Sequence, residues 1–127
     1  GTILVYNQSF EISRLKELAI DFPQYKLEIE ERISRIKDLM TPFQKRWYYT
    51  PEMNGSYSIK AVLPALFPDM DYDNLEIGDG GTASSSFMNL RNVADKKEVE
   101  KIRRNLLEYC EMDTQAMVII LEKLQGI

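Results

Sequence analysis

The sequence predicts a helix-rich α/β fold, and three observations carry that prediction. Ile3-Leu4-Val5-Tyr6 is a short, continuously apolar run, the signature of a strand buried on both faces of a parallel sheet. Leu15, Leu18, Ala19 and Phe22 recur at helical spacing directly after it. Near the other end, Val99, Ile102, Leu106, Cys110, Asp113, Met117, Ile120 and Leu124 trace one face of a long helix.

Each element has a local reason. Asn7 or Ser9 can cap the first helix, and Phe22-Pro23 ends it, because a residue before proline is driven out of the helical region. A second helix is expected over 24–37, with Leu27, Ile29, Ile33 and Ile36 roughly in period and its charges forming a solvated face. Asp38-Leu39-Met40 reads as a short second strand before Pro42, and 42–55 as irregular and aromatic. Ser56 can cap a helix from Tyr57 to about Phe67, which Pro64 bends or shortens. Residues 68–81 form a loop rich in Asp, Gly and Asn; Thr82 can cap a helix through Ala83, Phe87 and Leu90; and Lys96 to Leu124 is the long final helix. The expected inventory is about five helices and one or two short parallel strands.

Two strands seldom make a stable sheet alone. The opening strand therefore calls for neighbours that either lie upstream in a longer polypeptide or come from a second copy covering its bare edge. The start at Gly1-Thr2, without an initiator methionine, reads as that of an excised piece of a longer polypeptide. The chain reads as a single truncated domain over 1–127, and at least dimeric association is expected.

Composition removes several chemistries. The chain has no histidine, which eliminates His-based triads, His metal ligands and imidazole bases. Its single cysteine, Cys110, excludes an intrachain disulfide and a multi-cysteine zinc site; it reads as a small core residue. The net charge of −4 does not announce a nucleic-acid binder, although carboxylates that hold metal would themselves contribute negative charge. No apolar run reaches membrane-spanning length.

Within the last helical stripe, seven of eight positions are apolar and the eighth is Asp113. A carboxylate in such a row must be paired, hydrogen-bonded or bound to metal. Tyr109 lies one turn earlier on the same side; the alternative reading is a core tyrosine beside an aspartate paired with Arg103 or a lysine. Glu11 falls in the first turn of the helix that follows the opening strand, in register with Leu15, Leu18 and Phe22, and the crevice beyond strand C-termini is the usual ligand site of open α/β sheets. Its simpler reading is a charge complementing the helix dipole. Asn7 offers an amide at the same strand end, or serves the turn. In Gln44-Lys45-Arg46-Trp47-Tyr48-Tyr49, two cations beside three aromatics can bind phosphate and stack bases, or else be solvated charges next to core aromatics. Lys60 is a further candidate phosphate contact. Asp79-Gly80-Gly81-Thr82 lacks phosphate-loop spacing, and Asp69, Asp71 and Asp73 lack the glycine and glutamate of a calcium loop.

Taken together these residues resemble the DEDD superfamily of 3′–5′ exonucleases, which share a ribonuclease H-like fold. Asn7-Gln8-Ser9-Phe10-Glu11 is similar to the superfamily's Asn-x-x-Phe-Asp motif, with glutamate for aspartate, and Tyr109-Cys110-Glu111-Met112-Asp113 matches its Tyr-x-x-x-Asp motif. Asp38-Leu39-Met40 and Gly55-Ser56-Tyr57-Ser58-Ile59-Lys60-Ala61-Val62 resemble an Asp-Leu…Ser-Tyr-Ser-Leu-Lys stretch of a bacterial branch. Over nearly its whole length the chain looks like the C-terminal portion of the uncharacterised bacterial domain family DUF2779, which carries Tyr-Asn-x-Ser-Phe-Glu, Gly-Ser-Tyr-Ser-Ile-Lys and Glu-Tyr-Cys-Glu-x-Asp blocks. The superfamily's first motif, Asp-x-Glu, is absent, since only six residues precede Asn7.

The resemblance implies the C-terminal part of a ribonuclease H-like fold, from a cytoplasmic bacterial protein acting on DNA or RNA. It implies two Mg²⁺ or Mn²⁺ ions about 3.5–4 Å apart that clamp the scissile phosphate. Asp113 would then be a metal ligand, Tyr109 would orient the attacking water, and Glu11 would stand at the second-motif metal position, binding directly or through a water with a reach one methylene longer than that of aspartate. The first-motif carboxylates would lie upstream, so the isolated chain is expected to bind metal poorly and to be inactive. The competing expectation is a helix-rich interaction or structural module in which the architecture persists without the chemistry.

Overall fold

A computed structural model describes residues 1–126. Strand β1 (Ile3–Val5) leads into helix α1 (Gln8–Asp21); a short 3₁₀ turn at Pro23–Tyr25 precedes α2 (Lys26–Ser34), and strand β2 (Ile36–Asp38) follows. After the one-turn α3 (Thr41–Gln44) and a 3₁₀ turn at Pro51–Met53 come α4 (Ile59–Leu66), α5 (Gly80–Asn89) with a 3₁₀ extension at Leu90–Asn92, and the thirty-residue α6 (Lys96–Gln125). The described residues are thus helix-rich α/β, with six α-helices rather than about five.

β1 and β2 pair in parallel, Ile3 opposite Ile36, Leu4 opposite Lys37 and Val5 opposite Asp38. Among the described residues each has only the other as a ladder partner. β1 is half-buried along its length rather than covered on both faces. The second strand lies at Ile36–Asp38, two residues earlier than the expected Asp38–Met40, because the helix expected over 24–37 stops at Ser34 and frees Ile36 to point into the core at 7% exposure.

The caps differ from expectation in a way that matters for the site. Neither Asn7 nor Ser9 caps α1 with its own side chain. Asp38, at the end of the adjacent strand, accepts the backbone N–H groups of Asn7 at 3.0 Å and Gln8 at 2.8 Å, and that of Met40 at 2.9 Å. A carboxylate from β2 therefore satisfies the donors at the start of α1 and complements its dipole. Asn7 turns the chain with φ 71°, a left-handed conformation that asparagine tolerates better than most residues. Ser56 does not cap α4, which starts at Ile59; its hydroxyl bonds within the preceding turn. Pro64 lies inside α4, which ends two residues later. Thr82 is not the cap of α5: Asp79 is, accepting Thr82 N–H at 2.8 Å and the Thr82 hydroxyl at 2.7 Å.

The core lies where α4 crosses α6. On one side Phe43, Met53, Val62 and Ile120 pack together; on the other Leu63, Tyr72 and Ala116 do so. The 68–79 loop folds back on this junction. Asp71 gathers the N–H groups of Asp73 and Asn74, and the Asn74 amide, onto one oxygen, which explains the aspartate-rich spacing as turn chemistry. Leu75 N–H returns to the Tyr72 carbonyl at 3.1 Å. Gly78 sits so close that a Cβ there would lie 2.9 Å from the Tyr72 carbonyl oxygen.

The α6 stripe is buried less evenly than its spacing implies. Ile120 is fully buried, most other members are half-buried, and Ala116, outside the stripe, is as fully buried as Ile120. Cys110 is exposed, beside Phe87 and Leu107 in a groove between α5 and α6, so it is not a core residue. On α1, Leu15 and Ala19 are half-buried while Leu18 and Phe22 stay exposed. No helix among the described residues is long and apolar enough to cross a membrane.

Candidate functional site

Three segments distant in sequence enclose one cavity of about 690 Å³. The β1–α1 turn contributes Tyr6, Asn7 and Glu11; the start of α4 contributes Ser58 and Lys60; the middle of α6 contributes Tyr109, Asp113 and Met117. The sequence dictates this convergence. β1 ends at Val5, the Asp38 carboxylate fixes the direction in which α1 departs, and the α4–α6 crossing sets Lys60 opposite the Tyr109–Asp113 turn.

Glu11 is half-buried and forms no hydrogen bond or ion pair among the described residues. It stands in the first turn of α1, as its simpler role of complementing the helix dipole requires, and shares that role with Asp38. Asp113 is also half-buried and accepts the Tyr72 hydroxyl on Oδ1 at 2.7 Å. No pairing with Arg103 or a lysine is present among the described residues.

The phenols around Asp113 are held in their protonated form. Tyr109 is pushed up to about 12, first by burial and then by the adjacent Asp113 charge. Tyr72 is raised further by burial and by its hydrogen bond to Asp113. Tyr6 is raised by burial and by the Asp38 charge, and its hydroxyl donates to the Tyr57 carbonyl at 2.7 Å. Each of these tyrosines is therefore a hydrogen-bond donor at neutral pH, not an anion.

The sequence candidates thus divide. Asn7, Glu11, Lys60, Tyr109 and Asp113 line the same cavity. Lys45, Arg46 and Trp47 do not. Trp47 is 71% exposed, the Lys45 ammonium lies 4.9 Å from its ring centroid, and Arg46, at φ 56°, sits 5.9 Å from the Tyr49 ring. They form a surface ledge in which each cation rests on an aromatic neighbour. Tyr48 alone turns inward, edge-on to Phe43 at 5.8 Å. Sequence reasoning missed Tyr72 and Asp38 as partners of the site. The signal for Tyr72 was Asp113 itself, whose apolar row required a donor.

In kind, the donors suit a hard divalent cation, which prefers carboxylate oxygen. In number they fall short: no group of three or more Asp, Glu, Cys or His side chains converges among the described residues.

Residues 1–58 match the family model "Domain of unknown function (DUF2779)", just under half of the chain. The chain is 34% identical to the uncharacterized protein UU173 of Ureaplasma parvum, an alignment that covers 92% of this chain and 19% of that protein. It is 30% identical to the uncharacterized protein MG366 of Mycoplasma genitalium, over 99% of this chain and 21% of that protein. An MG366 homolog of Mycoplasma pneumoniae is also 30% identical, over 94% and 20% respectively. The chain thus spans about one fifth of the length of the curated relatives it matches. No solved structure matches it.

Proposed function

We propose that the likeness to DUF2779 extends along the whole chain, and that the cavity is half of the active site of a metal-dependent 3′–5′ exonuclease with a ribonuclease H-like fold. The observation that carries this reading is the shared cavity of Glu11, Tyr109 and Asp113, residues from the two motif-like segments about one hundred positions apart. A divalent ion, Mg²⁺ or Mn²⁺, would supply Lewis-acid activation of water and charge neutralisation at the phosphate.

The chain's own residues do the rest. Asp113 and Glu11 supply carboxylate oxygens for cation binding. Tyr109, protonated across the physiological range, donates its hydroxyl hydrogen to water or a phosphate oxygen and so orients rather than deprotonates. Lys60 and Asn7 line the cavity and offer cationic and amide donors to a nucleic-acid backbone. The remaining carboxylates of such a site, and further strands beside β1, belong to sequence outside this chain.

The test is hydrolysis of single-stranded DNA and RNA by a polypeptide of the relatives' length that contains this chain, with and without Mn²⁺. Metal-dependent release of nucleotides from the 3′ end, lost in D113N, is expected; the isolated chain is expected to be inactive. One observation favours a second reading, a non-catalytic interaction module: only two carboxylates meet in the cavity. That reading requires the longer polypeptide to leave every substrate intact with any divalent ion.

A further inference from the structure

Tyr72 does not line the cavity, yet it touches three residues that do. Its hydroxyl donates to Asp113 Oδ1 at 2.7 Å, its ring centroid lies 6.1 Å from that of Tyr109, and the Lys60 ammonium stands 5.7 Å from its ring. It is 4% exposed and packs with Leu63 and Ala116 at the crossing of α4 and α6.

Space-filling explains the ring but not the hydroxyl. A buried phenol needs an acceptor, and phenylalanine would fill the same volume without one. Asp113 in turn interrupts an apolar helix face and needs a donor. Each answers the other's requirement at a length typical of a bond to a charged acceptor. The loop that brings Tyr72 here is built for that placement, through the Asp71 turn and the close approach of Gly78 to the Tyr72 carbonyl. One carboxylate oxygen is engaged from the core side by Tyr72, and Tyr109, one turn earlier on α6, lies within hydrogen-bonding influence of the same carboxylate from the cavity side.

We propose that Tyr72 is a positioning residue of this site: its hydroxyl locks the Asp113 carboxylate in a single rotamer at the cavity wall, while its ring face holds Lys60 beside it. The functional meaning of that lock rests on the exonuclease reading; the lock itself does not.

The experiment compares the wild-type chain with Y72F, which keeps the ring and removes only the donor. Three-bond couplings to the Asp113 side-chain carboxyl carbon report its rotamer populations. A single rotamer is expected in the wild type, and averaging over two or more in Y72F. An averaged Asp113 in the wild type, or an unchanged single rotamer in Y72F, overturns the proposal, and either result stands whatever the metal arm gives. In that second arm, Mn²⁺ alone is titrated into wild type, Y72F and D113N and followed by electron paramagnetic resonance. The expected outcome is a loss of affinity of about tenfold in Y72F, the usual scale for removing a partner of a ligating side chain, and complete loss in D113N. Unchanged Mn²⁺ binding in D113N sinks the cation-site reading and leaves the coupling data to judge Tyr72. Loss in D113N with none in Y72F preserves the cation site and removes Tyr72 from its support.

Discussion

The Asp38 carboxylate accepts the Gln8 backbone N–H at 2.8 Å, and this contact ties the end of one strand to the start of the helix that follows the other. It fixes the departure of α1 from the sheet and hence the place of Glu11. Because Asp38 also holds Asn7 and Met40, D38A removes one acceptor from three donors at once. The expected loss is about 1–2 kcal/mol, the upper part of the range for a helix cap, read as a lower denaturant midpoint. A midpoint equal to wild type would contradict this account of the β2–α1 junction.

The core makes a sharper distinction between two residues on one helix. Ile120 is fully buried and Val118 is 51% exposed. Ile120→Ala should cost about 2–5 kcal/mol, a large share of the stability of a small domain. Val118→Ala should stay within about 0.5 kcal/mol of wild type. Chemical denaturation of both variants checks the difference; equal losses would mean that the α4–α6 crossing is not the core.

Gly78 tests the loop that carries Tyr72. A Cβ at this position would meet backbone rather than a movable side chain, 2.9 Å from the Tyr72 carbonyl oxygen. Gly78→Ala is expected to destabilise by about 1–3 kcal/mol and to shift the Tyr72 and Asp113 resonances together in an NMR spectrum. Shifts confined to 76–80 would show the loop and the site to be independent.

Alkaline titration examines the tyrosines. In Tyr6, Tyr72 and Tyr109 the folded state holds the phenol proton more tightly than the unfolded chain does. Above about pH 10, where an unfolded tyrosine ionises, the unfolded state binds fewer protons, so stability falls as pH rises towards the folded value, about 12 for Tyr109. Tyrosinate absorbance should therefore develop in two stages, the later one coinciding with loss of helical circular dichroism. A single reversible stage with the helices intact would contradict the burial of these phenols.

Much of the fold was legible because periodicity is a strong signal over long segments: α1 and α6 fall where their apolar spacing puts them. The caps were not, because the decisive carboxylates act across space or three residues back. Asp38 caps a helix thirty residues earlier, and Asp79 takes the role that Thr82 suggested. Cys110 misled through its place in the stripe, since it faces a groove that α5 and α6 leave open. At the site, Glu11, Tyr109 and Asp113 were named from sequence and share a cavity. Tyr72 was hidden because it lies in an irregular loop with no period to register it, forty-one residues from its partner. The Lys45–Trp47 segment has suitable composition for nucleic acid, but its location is a separate surface ledge.

The central claim is that Glu11 and Asp113 form one cation-binding cavity, and paramagnetic broadening by Mn²⁺ in the NMR spectrum of the chain tests it most directly, since broadening reports even weak binding. The account predicts that signals of Glu11, Tyr109 and Asp113 broaden first and together, and that D113N abolishes the effect. Broadening centred instead on the exposed carboxylates of α2, such as Glu28 and Glu30, or indifferent to D113N, would contradict it.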